Sequence, residues 1–97
     1  MYTKTIKTST GHSMHVRAVA RGMIPAGCAY ANNFSKFYIV TNWDREGAVF
    51  FYLASGHKAS PEQICVWYGK HNRMWSSYGK TIADAIEGAI KDGWMYA

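Results

Sequence analysis

The densest run of side chains able to do chemistry is residues 67–80. Trp67, Tyr68, Trp75 and Tyr78 interleave there with Lys70, His71, Arg73 and Lys80, and no acid interrupts them. Aromatic rings stack on unpaired bases, each worth roughly 1–3 kcal/mol, while cations neutralise phosphate. A two-stranded ribbon with a basic tip also fits a major groove. The same rings serve equally well as core residues and cross-strand pairs of a sheet.

Charge points the same way. Eleven Lys and Arg stand against six Asp and Glu, a formal excess of +5. Residues 1–43 hold Lys4, Lys7, Arg17, Arg21 and Lys36 and no acid, whereas residues 44–97 hold six bases and six acids that cancel. A field of one sign attracts polyanions and speeds their encounter, and nucleic acid is the commonest polyanion. Phosphate contacts are therefore expected from Lys4, Lys7, Arg17, Arg21, Lys70 and Arg73, with Trp67 and Trp75 as stacking candidates. This expectation assumes that the N-terminal cations gather into one patch. A modest positive charge also simply keeps a small protein apart from its neighbours.

Other chemistries are poorly represented. The nitrogen and sulfur ligands are His12, His15, Cys28, His57, Cys65 and His71. Zinc sites show paired close spacings, and only one pair is close here, so no metal is expected. Cys65 sits between Ile64 and Val66 in an apolar run, not on a strained turn suited to a nucleophile. The acids are scattered, which leaves no carboxylate pair for general acid–base work, and no glycine-rich phosphate loop is present. Neither an enzyme nor a cofactor is expected. Two cysteines without a CxxC read as reduced, buried thiols in a cytoplasmic protein.

The elements that must position these residues follow from length and periodicity. Ninety-seven residues make one domain, 1–97, with a limited core. A composition 48% hydrophobic and 15% aromatic excludes a disordered tail, and no apolar run approaches the roughly 18–20 residues of a membrane span. Residues 2–9 read as a strand from their β-branched content. Residues 13–23 suit a strand, with Met14, Val16 and Ala18 on one side, or a helix capped by Ser13. Strands are expected over residues 37–43 and 48–54, paired so that Phe51 faces Val40 and Phe50 faces Thr41. A second hairpin joins residues 64–68 to 74–78. Ile82, Ile86 and Ile90 recur every four residues behind Thr81, with Asp84 at capping-box spacing, so a C-terminal helix follows. The expected fold is α+β: an antiparallel sheet of about five or six strands with this helix packed on one face.

The strand at 48–54 carries a functional implication. It is apolar on both faces, with Phe50 and Tyr52 opposite Val49, Phe51 and Leu53. A sheet with one wet face would alternate apolar and polar residues. One helix covers one face, so the other must meet the N-terminal segment, a second copy of the chain or a partner.

Three antiparallel strands followed by a helix resemble the DNA-binding domains at the N-termini of tyrosine integrases. The same order is similar to the strand-strand-strand-helix part of double-stranded-RNA-binding domains. The likeness covers about half the chain and is topological. The latter domains start their last helix with a lysine cluster, whereas here Lys80 alone precedes Thr81-Ile82-Ala83-Asp84. In size and style the chain also resembles accessory proteins of phages and plasmids, many of which block a host enzyme or defence complex. The leading expectation is a non-enzymatic nucleic-acid-binding protein that contacts the phosphate backbone. The alternative is a protein-binding accessory module that engages an acidic surface.

Overall fold

The structure, a computed structural model, describes residues 3–7, 11, 13–42, 49–68, 73–77 and 81–91. β-Branched and aromatic residues fill its strands, where a pleated and half-buried surface suits them. The strands are β1 (Thr3–Lys7), β2 (Ser13–Val19), β3 (Lys36–Asn42), β4 (Val49–Ser55), β5 (Ile64–Tyr68) and β6 (Arg73–Ser77), and one helix follows, α1 (Ile82–Lys91). They form a single antiparallel sheet in the order β1-β2-β3-β4-β5-β6, each strand beside its neighbour in sequence. The expected α+β architecture is thus the observed one. Residues 13–19 take the strand alternative, and a short 3₁₀ turn follows at Arg21–Met23.

One register differs from expectation. Val40 does pair with Phe51, but Thr41 pairs with Val49 and not with Phe50. Phe50 is the extra residue of a β-bulge, which re-aims side chains locally. It packs against the same cluster as Phe51 instead of pointing to the other face.

The core is double. On the first face Met14, Val16, Val40, Phe51, Leu53, Val66 and Tyr68 meet Ala85, Ile86 and Ala89 of α1. The isoleucine stripe at four-residue spacing brings the helix onto the sheet, where it lies against β5 and β6. Its start is capped as the spacing predicts: Thr81 Oγ1 accepts a bond from the Asp84 backbone N–H at 3.1 Å, which satisfies an otherwise orphaned donor.

The second face has internal cover. Residues 20–35, between β2 and β3, fold back over the sheet, and their Ile24, Cys28, Ala31 and Phe34 pack on Phe37, Ala54, Cys65 and Trp67. Two 3₁₀ turns, Arg21–Met23 and Ala31–Asn33, shape this crossover. Trp67 Nε1–H donates to the Ala29 carbonyl at 3.1 Å and ties the crossover to β5. Phe34 stands edge-on to Trp67 (6.1 Å) and to His57 (5.0 Å). His57 Nδ1 accepts the backbone N–H groups of Ala59 (3.0 Å) and Ser60 (3.2 Å), which fixes the β4–β5 connection against the crossover. Gly56 closes that junction at φ +71°, and a Cβ there would collide with Ser35 Oγ.

Trp67→Phe removes the indole N–H and part of the ring, which leaves the Ala29 carbonyl without its donor and a cavity in the buried second cluster. We expect a loss of about 2–4 kcal/mol, read as a lower urea midpoint; an unchanged midpoint would show that neither the tether nor the ring holds the crossover. Gly56→Ala meets both the backbone conformation and Ser35, and should cost about 1–3 kcal/mol in the same assay.

Candidate nucleic-acid interface

Alternation along a strand sends successive residues to opposite faces, and this sorts the N-terminal cations. Lys4 and Ile6 share the first face of β1, whereas Thr5 and Lys7 take the second. Thr5 Oγ1 lies 3.4 Å from His15 Nδ1, consistent with the pairing of these residues across β1 and β2. Arg17, two residues beyond His15, pairs with Ile39 on the same side. Lys7 and Arg17 are exposed and His15 is half-buried. These three basic side chains occupy the part of the second face nearest the β1 edge.

A second group sits at the sheet end where β2 finishes and β3 begins. Lys36 lines two adjoining clefts there. One, of about 480 Å³, is shared with Arg21 and bounded by Ala18, Phe37 and Tyr38. The other, of about 560 Å³, is shared with Lys4 and runs past Glu62 to Thr81 and Ile82 at the start of α1. The N-terminal cations therefore form two groups on two surfaces instead of one patch. Strand parity is the reason, since Lys4 and Lys7 are three residues apart and must face opposite ways. Among the described residues, Lys4, Lys7, Arg17 and Lys36 have no acidic partner.

Arg21 is already engaged. Its Nε donates to Asn32 Oδ1 at 3.2 Å, its Nη1 donates to the Ile24 carbonyl at 3.4 Å, and the guanidinium lies 5.6 Å from the Phe37 ring centre. It clasps the two ends of the crossover together. The spacing of Arg17 and Arg21 gave no sign of this, because the clasp depends on Asn32, eleven residues further on.

Trp67 is a correction. It is 0% exposed and holds the crossover, so it cannot stack on a base. In sequence a strand tryptophan looks the same whether it faces solvent or a lid, and the lid was not legible. Arg73 and Trp75 stand opposite Tyr68 and Val66 in the β5–β6 register. Their side chains, and Lys70 altogether, lie outside the described residues.

Both cysteines are buried and unbridged in the second cluster. Burial pushes the Cys28 thiol up to about 11 from an ordinary 9.0, against a smaller lowering by the Arg21 charge. Among the described residues no three potential metal ligands group together, and no helix is long and apolar enough to cross a membrane.

Fold and site together define a small α+β sheet protein with two cationic surfaces. No protein family, curated protein or solved structure matches the chain.

Cys28 ionises more readily in the unfolded chain than in the fold. Its contribution to stability is full below pH 9.0 and declines as pH rises toward about 11, with a slope of at most about 1.4 kcal/mol per pH unit. Melts across that window should show the decline, and Cys28→Ala should flatten it. Arg21→Gln should cost about 1–2 kcal/mol by freeing the crossover, whereas Lys7→Gln and Arg17→Gln should stay within about 0.5 kcal/mol of the parent.

Proposed function

We propose that this protein is a non-enzymatic nucleic-acid-binding protein that holds the phosphate backbone across the β1–β2 part of its second sheet face. One observation carries the reading: Lys7 and Arg17 are exposed on that surface beside Thr5 and His15, and among the described residues neither Lys7 nor Arg17 has an acidic partner. Exposed cations without acidic partners bind phosphate by releasing condensed counterions, at little desolvation cost. A sheet presents them in a fixed row, so the backbone is met by side chains already spaced by the pleat. Phosphate contacts of this kind set register and affinity, not base sequence.

A second reading has its own support. Met23 and Tyr30 are 54% and 67% exposed on the crossover, and Tyr30 holds a left-handed backbone at φ 64°. Exposed Tyr and Met are residue types that interfaces favour. They suit the alternative of a protein-binding accessory module directed at an acidic protein surface.

Gel shifts with single-stranded and duplex oligonucleotides separate the two. We expect affinity to fall steeply between about 50 and 200 mM salt, with the log–log slope reduced by about one for Lys7→Gln or Arg17→Gln. Lys91→Gln, on the far end of α1, should leave the slope as it is. Absence of binding at the lower salt, or a slope indifferent to Lys7 and Arg17, would overturn this assignment. If Met23→Ser and Tyr30→Ser instead abolished a salt-insensitive protein contact, the accessory-module reading would replace it.

A further inference from the structure

The outer surface of the crossover differs from the rest of the chain in charge. Residues 22–35 contain no Lys, Arg, His, Asp or Glu, in a protein with a formal charge of +5. Of the three large hydrophobics exposed among the described residues, Met23 and Tyr30 stand here. Few charges together with exposed Tyr and Met are the composition of an interface centre.

Two residues of this surface suit the fold poorly. Tyr30 holds φ 64°, a left-handed backbone that a bulky residue seldom adopts and that glycine takes freely. Its ring stays exposed, so burial does not offset the strain. Strain kept at an exposed aromatic points to a use outside the isolated chain. Gly22 is the converse. Its φ is not positive, and a Cβ added there would meet nothing within 4 Å. Neither turn geometry nor packing within the chain asks for glycine, which costs backbone entropy wherever another residue fits. A bare backbone does let a second surface approach closely. Gly22 lies in the first 3₁₀ turn and Tyr30 caps the second, and the bond from Arg21 Nε to Asn32 Oδ1 clasps these turns together. A projecting ring and a bare spot therefore occupy adjoining turns of one uncharged surface.

We propose that this outer surface of the crossover is the contact through which two copies of the chain associate, with Tyr30 of each copy seated over Gly22 of the other. A closed two-fold pair needs a surface that matches itself, residue i on j and j on i, and a ring beside a bare spot meets that need. Charge selects a second copy as the occupant. Two chains at +5 repel wherever their cations meet, and residues 22–35 bring none together. Arg21, at the border, is turned to Asn32 and the Ile24 carbonyl. An acidic protein or a nucleic acid would draw on cations outside this surface, whereas a second copy needs only what is there. The strip of Lys7 and Arg17 shares no residue with the contact, so the two assignments stand or fall separately.

The test is sedimentation velocity of the full chain from micromolar to submillimolar concentration, at low and at high salt, with amide NMR on dilution. We expect a reversible monomer–dimer equilibrium that added salt leaves unchanged or strengthens, because salt screens the repulsion between copies. Amide shifts on dilution should concentrate in residues 21–35. Tyr30→Gly and Gly22→Lys should each raise the dissociation constant at least about tenfold. The first relieves the backbone and the second enters open space, so their urea midpoints should equal or exceed that of the parent at a concentration where all are monomeric. Should either variant unfold, the dilution shifts alone decide: a map outside residues 21–35 overturns the contact. A parent that stays monomeric at the highest concentration overturns it, as does a dimer that salt disperses or that both folded variants leave intact. A monomeric parent that binds a different protein, and loses it on Tyr30→Gly, gives the surface to that partner and likewise overturns self-association.

Discussion

Everything in this structure answers one constraint: β4 and β5 are apolar on both faces. Phe51, Leu53 and Val66 are wholly buried on one side, Ala54, Cys65 and Trp67 on the other. Burying a large side chain of this kind is worth roughly 1.5–3 kcal/mol, so neither face can stay wet in a chain of this size. Two different devices meet the demand. A regular amphipathic helix closes the first face, and an irregular crossover of two 3₁₀ turns closes the second. The helix satisfies its own backbone, whereas the crossover needs outside bonds. It finds them in the Trp67 indole and the backbone links Ser35 N–H to Ser55 O and Lys58 N–H to Asn33 O, while its own Arg21 guanidinium bonds across it to Asn32.

Satisfying that constraint distributes the charge. Because residues 20–35 cover the part of the second face next to β4 and β5, the remaining surface of that face lies toward β1 and β2, where Lys7, His15 and Arg17 stand. The crossover also determines where the clefts form. It leaves the sheet at Ala20 and rejoins it at Lys36, so Arg21 and Lys36 mark its two ends and both border the cleft there. One structural decision, the second lid, thus separates a flat cationic strip from a concave cationic end.

The parts legible in the sequence were those governed by short-range periodicity. Ile82, Ile86 and Ile90 with the Thr81 cap located α1 within a residue, and the β-branched and aromatic runs located the strands. The two-faced composition of residues 48–54 required a second cover without naming it. The crossover escaped because 3₁₀ turns have no repeating apolar pattern, and its anchors Ala29 and Asn32 acquire meaning only through partners far along the chain. The bulge at Phe50 was hidden because an apolar run reads the same with or without an extra residue. Trp67 was misread for the related reason that its partner is a backbone carbonyl 38 residues away. Strand parity, by contrast, was available from the start: it already placed Lys4 and Lys7 on opposite sides of any strand that held them both.

The sheet also has a simple order of assembly. Each strand pairs only with those before and after it, so no strand waits for a distant partner. A chain emerging from the ribosome grows this sheet from one margin, and residues 20–35 are made before the β4 and β5 surface they shelter. The opposite surface stays bare until the final helix is released. A chain whose sheet has formed before α1 docks is therefore sticky on one side only, and that side is the one chaperones would meet.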